Sequence, residues 1–299
     1  MKAEEYDAFL ENPTDFIFRY YLPRTYSNME SLKNMPPTLS LLVGGSTAAF
    51  SSQAALNALK TIIKAVENSS RYMMAQIPFN PKMQALGFLS FFPMGGMAPF
   101  DTVSDYLRGL KGSTLDMYRC PDKLLAAQQK FLPFLIELAL EIYRMVGTNF
   151  CFTALHRGAD GFMSLKQFEK FYWPGLKTVL LVLIDKGLMP LVFWEGTWDQ
   201  RLEYLRELPK GKVLGWFDRT NLFKAKEVIG DTMCICGDMP LSLLQTGTPE
   251  QVKAYAKKLI DVVGKGGGFI MGSNTVLDYA RPDLVKVWVD FTRDYGVYA

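Results

Sequence analysis

Short apolar runs recur along the last two-thirds of the chain. They are GFLSFF (87–92), NFCFTAL (149–155), MPLVFW (189–194), KVLGWF (212–217), TMCIC (232–236) and GFIMG (268–272). Each is too short for a core helix and too uniformly apolar for a strand with one wet face. They read as strands covered on both sides. Between them, apolar residues return every three or four positions, the period of a helix with one buried stripe. The longest such stretch opens at Pro121, where a missing N–H costs nothing, and runs to Gly147. A second opens at Ser164 with Gln167 three residues on, a capping-box spacing, and runs to Gly187. WDQRLEYLREL and NLFKAKEVI are shorter helices. Thr248, Pro249, Glu250 and Gln251 open QVKAYAKKLIDVV, and DLVKVWVDFTRDYG closes the chain.

Strands that alternate with helices pair in parallel through right-handed crossovers. Six such units, with no G-x-G-x-x-G turn, favour an α/β fold of the TIM-type (β/α)8 kind over a dinucleotide-binding sheet. A full barrel has eight strands, so the expectation is an incomplete or irregularly closed one. Residues 81–299 form it. Residues 1–80 lack the alternation and read as helices, EEYDAFLENPTDFIFRYYL and SSQAALNALKTIIKAVENSSRYMMAQI, packing on the barrel. An open barrel leaves an unpaired edge on 87–92 or 268–272, which the N-terminal helices or a second copy of the chain would cover. A homodimer is thus one expectation.

The charge pattern narrows the partners. The net charge of +3 is spread among both signs with no Lys/Arg-rich run, so no nucleic-acid surface is expected. The most apolar stretch, LKTVLLVLIDKG, ends early at Asp185 and Lys186 and is too short to cross a membrane. The start, MKAEEYDAFLENP, is acidic and lacks the form of a secretory signal. Cys120, Cys151, Cys234 and Cys236 do not make a disulfide framework, which points to the reducing cytoplasm.

In a parallel barrel, chemistry gathers just past the C-terminal ends of the strands. The residues there are Asp101 and Asp105, then His156, Arg157 and Asp160, then Glu195. Asp218 and Arg219 follow, then Cys236 and Asp238, and finally Ser273, Asn274 and Thr275. His156 is the single histidine. With Glu195 it makes the usual acid–base pair. His156, Glu195, Asp218 and Cys236 are all competent zinc ligands. Asp101, Arg157, Asp218, Arg219 and Asn274 are the expected substrate-binding set. Plainer readings stand beside these. A lone histidine is often structural, Glu195 has Arg157 or Arg219 as possible ion-pair partners, and Cys236 has the makings of a small core hydrophobe. Asp101 and Asp105 suit helix caps. The Met and aromatic residues read mostly as core.

The same strand ends resemble a known family. GFLSFFPMGGMAPFDTVSDYLRG followed by LDMYRCPDKLLAAQQK resembles the third barrel unit of the uroporphyrinogen decarboxylase superfamily, which includes corrinoid-dependent methyltransferases. GADGFMSLKQFEKFYWPGLK resembles its fourth unit. CICGDMPLSLL and GTPEQVKAYAKKLIDVVGKGGGFIMGS resemble the seventh and eighth. The likeness runs from about residue 80 to the end and implies barrel units three to eight, the first two having no counterpart here. It implies a methyltransferase moving a methyl group between a methoxy- or methylamine-type substrate and a corrinoid (cobalamin) carried by a partner protein. A porphyrinogen decarboxylase of heme biosynthesis is the alternative, and a degenerate barrel that only binds a ligand or partner is a third. The decarboxylases' Arg-rich motif and key aspartate find no match in this chain. Where the zinc methyltransferases carry His-x-Cys on the fifth strand and Cys on the eighth, this chain has Phe193 and Glu195, and Thr275 or its neighbours. The zinc set His156, Glu195, Asp218 and Cys236 therefore rests on strand-end placement alone. It predicts the Glu195 carboxylate in the barrel mouth beside the other three, its charge relieved by a metal, a proton, or Arg157 or Arg219.

Overall fold

The computed structural model describes residues 1–42, 50–76, 79–88, 94–146 and 148–297. The chain divides into two compact units, Met1–Ser90 with Val103–Lys130, and Phe91–Thr102 with Phe131–Ala299. The first is helical. Its longest element, α1 (Gln53–Gln76), buries Ala55 and Ala58 against Leu32 and Met35. Asp116, almost fully buried, accepts hydrogen bonds from the Tyr6 hydroxyl at 2.8 Å and from Arg108 at 2.5 and 3.0 Å. Three donors on one carboxylate offset what its burial costs. Asp105 belongs to this unit, whereas the other candidate site residues belong to the second.

The second unit is built on six parallel strands in sequential order: β1 (Met94–Met97), β2 (Phe150–Leu155), β3 (Met189–Trp194), β4 (Leu214–Phe217), β5 (Cys234–Met239) and β6 (Phe269–Ser273). This is the α/β arrangement of an incomplete TIM-type barrel. Among the described residues β1 and β6 remain its edges. The longer helices of the unit are α2 (Pro121–Val146, which belongs to it from Phe131 on), α3 (Trp173–Asp185), α4 (Leu222–Ile229), α5 (Pro249–Lys258) and α6 (Pro282–Tyr295). The expected capping boxes are formed. Gln167 N–H donates to Ser164 Oγ and Gln251 N–H to Thr248 Oγ1, both at 3.3 Å, and each glutamine returns the bond to the cap backbone at 2.9 Å.

Strand alternation separates two faces. On the helix-facing side, Cys151 packs with Ala139 of α2 and Val179 and Leu183 of α3. Further along, Trp194, Trp198, Phe217, Phe168 and Tyr172 form an aromatic cluster, with Trp194 and Trp198 4.7 Å apart and edge-on. Met239 packs with Leu244, Val252, Ala256, Leu284 and Trp288. Burial of this size contributes about 1.5–3 kcal/mol per large side chain. On the opposite face the residues are only half-buried: Phe150, Phe152 and Ala154 on β2, Phe193 on β3, Trp216 on β4, and Cys234 and Cys236 on β5.

Two strands depart from expectation. Of the predicted strand 87–92, residues 89–92 lie outside the described ones, and the strand found is MGGM at 94–97. Glycine is needed there because β1 and β2 approach closely. A Cβ on Gly96 would lie 1.9 Å from Thr153 Oγ1. Gly96→Ala is therefore expected to destabilise the protein by about 1–3 kcal/mol in urea unfolding, through overpacking. An unchanged midpoint would show that Thr153 yields freely. The predicted strand 232–236 is shifted to Cys234–Met239, because β6 supplies pairing partners as far as Ser273 opposite Met239.

Candidate functional site at the strand ends

Cross-strand register decides which strand-end side chains are neighbours. Leu155 is paired with Trp194, Trp194 with Phe217, Trp216 with Cys236, and Asp238 with Gly272. Continuing the first three of these strands by one step brings His156, Glu195 and Asp218 into one row. Neighbouring strands lie about 4.8 Å apart. One alternation below this row, on the same face, lies Ala154–Phe193–Trp216–Cys236. Phe193 and Trp216 rings are 4.5 Å apart, and Phe152 reaches Trp216 at 6.4 Å. The row is thus a polar rim above an aromatic floor.

Hydrogen bonds fix much of the rim. Asp218 Oδ2 accepts from Gly196 N–H at 3.1 Å, and Oδ1 accepts from the Asn274 amide at 3.3 Å. Asn274 Oδ1 in turn accepts from Leu241 N–H at 2.9 Å. The Trp216 indole N–H donates to the Ser273 carbonyl at 2.7 Å. Two bridges therefore span β5, joining β4 to β6 and its following loop. Asn274 lies beside Asp218 and holds it.

Asp101 has another place than expected. It is fully buried, in the helix Pro99–Val103. Its carboxylate accepts from His156 N–H at 2.9 Å, Arg157 N–H at 3.1 Å and the Tyr172 hydroxyl at 2.7 Å. Such a carboxylate orders the end of β2 and is not presented to a substrate. Arg157 follows His156 by one residue, and its guanidinium lies over the Phe162 ring at 5.2 Å. Arg219 is 78% exposed, its Nε 3.8 Å from Asp218, which makes a weak surface pair. Behind the rim, Arg201 is 1% exposed and pairs with Asp160, and it donates to the Met163 carbonyl at 2.6 Å.

Glu195 is exposed, and no described residue gives its carboxylate a hydrogen bond or ion pair. Neither arginine takes the pairing role weighed for it. Cys236 sits a full alternation below the rim. Burial pushes its thiol up to about 12, with Cys234 adding to the effect, so it is a neutral thiol. Among the described residues no three His, Cys, Asp or Glu side chains stand close enough together to hold a metal ion. The zinc set of His156, Glu195, Asp218 and Cys236 thus does not assemble.

Asp238 stands two residues beyond Cys236, but its carboxylate meets Tyr255 of the helix layer and not the rim. Burial raises its carboxyl to about 6, while a hydrogen bond from Tyr255 at 2.9 Å acts the other way. A folded pKa above the unfolded one favours folding when the group is protonated. That contribution is complete below about pH 4 and is lost as pH rises through about 6. Asp238→Asn is expected to raise the thermal midpoint at pH 8 by about 2–4 °C and to leave it unchanged at pH 4. A shift of equal size at both pH values would assign the effect to packing alone.

Comparison with known proteins agrees with this architecture. Among solved structures, the chain is similar to a methyltransferase from Methanosarcina mazei, with a TM-score of 0.53 and 19% identity, covering 68% of this chain and 59% of that one. The chain therefore spans about 59% of the length of that neighbour, and at this identity the likeness is one of fold. No curated protein matches the sequence. Among the described residues no helix is long and apolar enough to cross a membrane. The family model for uroporphyrinogen decarboxylase (URO-D) matches residues 91–295, the span that carries all six strands and the whole rim, and the chain belongs to the uroporphyrinogen decarboxylase family.

Proposed function

We propose that the protein transfers a methyl group between a methylated small molecule, of methoxy or methylamine type, and a corrinoid carried by a partner protein. The observation that supports this most is the rim itself: His156, Glu195 and Asp218 side by side above Phe152, Phe193 and Trp216. A donor seated on the aromatic floor would present its heteroatom to the rim. Asp218 is held in place by Gly196 and Asn274, so it orients the donor. His156 and Glu195 are the groups that can pass a proton to a leaving oxygen or nitrogen. The bound corrinoid would supply the methyl acceptor. The four free thiols suit a reducing compartment such as the cytoplasm.

The sign of charge separates this reading from porphyrinogen decarboxylation. The two rim carboxylates, Glu195 and Asp218, would repel a polycarboxylate, and Arg219 points largely to solvent. The test is formation of methylcobalamin from chemically reduced cobalamin and a panel of methoxy and methylamine donors, followed by absorbance. Asp218→Asn and Glu195→Gln should each lower the rate by about 10²-fold with an unchanged urea midpoint. Consumption of a porphyrinogen, with no methyl transfer from any donor, would overturn the proposal in favour of the decarboxylase.

A further inference from the structure

We infer that the methylated ligand is a small organic cation, a tertiary or quaternary alkylammonium, held with its charged head over the Phe193–Trp216 pair and beneath the carboxylates of Asp218 and Glu195. This rests on the strand-end site proposed above and names its substrate class.

Two independent features of that site carry the inference. The first is the floor. Phe152, Phe193 and Trp216 sit on the face of the sheet opposite the helix-packed Cys151 and are only half-buried, with ring centroids 4.5 and 6.4 Å apart. The indole is fixed by its bond to the Ser273 carbonyl. Its polar edge is thus occupied. Electron-rich ring faces attract a cation that is too bulky for close hydrogen bonding. The second is the rim. Asp218 is mostly buried, and its two hydrogen-bond donors among the described residues, a backbone N–H and a side-chain amide, are neutral. Arg219, its one ion-pair partner, is 3.8 Å away and 78% exposed. Glu195 has no ion-pair partner among the described residues. A carboxylate held by neutral donors gains from a cation placed against it. A methoxy donor would gain nothing from that charge, whereas an alkylammonium would gain from both floor and rim.

The test uses the full chain and three probes of one shape: choline, its neutral isostere 3,3-dimethylbutan-1-ol, and the anion pivalate. Binding is read by tryptophan fluorescence and by calorimetry. The expected result is choline binding at least about 10-fold tighter than the isostere, with pivalate weakest. Asp218→Asn should weaken choline by about 10-fold and leave the isostere unchanged. Phe193→Leu, a milder change than loss of the indole, should weaken choline as well. If the isostere binds as well as choline and Phe193→Leu weakens both, the site stands and the cation assignment is wrong. If none of the probes binds, or if binding ignores Phe193 and Asp218 alike, both the cation assignment and the strand-end site fall.

Discussion

Asp101→Ala is expected to lower the unfolding free energy by about 3 kcal/mol or more, because it leaves the His156 and Arg157 amides and the Tyr172 hydroxyl without their shared acceptor. Urea unfolding followed by circular dichroism measures this. Tyr172→Phe removes one donor to a charged group and should cost about 1.5–3 kcal/mol. The double variant should lose less than the sum, since the residues share one network. Asp101→Ala should also disturb ligand binding, because it frees the chain that carries His156. A stability loss below about 1 kcal/mol would mean that water replaces the carboxylate, and that the β2 end is not held from the β1 side as described.

Arg201→Ala is the second large effect, at about 3–5 kcal/mol, because it strands the Asp160 carboxylate behind the rim. Arg201 is nearly inaccessible, lies 4.8 Å from the Phe168 ring centroid, and bonds the Met163 carbonyl. Desolvation lowers its pKa, and Asp160 opposes that shift. The control is the pair Asp160→Asn with Arg201→Met, which removes both charges. It should be clearly more stable than Arg201→Ala alone, since the penalty comes from an unpaired charge and not from loss of the pair. Equal destabilisation by both variants would assign the effect to the guanidinium's packing on Phe168.

Where one property decides an element, the sequence shows it. MPLVFW is buried on alternate and middle positions, and its apolar run marks β3 from Met189 to Trp194. Ser164 and Thr248 mark their helices because a cap and its glutamine are local partners. β1 was hidden for the opposite reason. Gly96 serves in a strand because Thr153 leaves no room for a Cβ, while Gly95 is only tight against Ala139 and Cys151, and that crowding comes from residues distant in sequence. β5 extends through Gly237 and Asp238, which read as a turn until β6 is there to pair with them.

The site divides in the same way. His156, Glu195 and Asp218 were legible as strand-end residues, because the end of an apolar run is visible. Whether such a residue faces a ligand or other protein groups is not visible. Asp101 has the same residue type as Asp218 and a similar place, but it is sealed by three donors. The aromatic floor was hidden among the core. Phe193 and Trp194 are adjacent and equally apolar, yet alternation gives one to the inner face and the other to the helix layer. Which is which follows only once Cys151 and Val192 are seen to be buried while Phe152 and Phe193 are half-exposed.

The most direct measurement is a crystal structure of the protein with a bound methylated donor from the panel that supports transfer. The expected density lies over Phe193 and Trp216, with the donor heteroatom within reach of Asp218 and His156 at the ends of β2 to β4. Density elsewhere, for example in the groove between α5 and α6 lined by Lys253, Phe291 and Tyr295, with the rim empty, would contradict a strand-end active site.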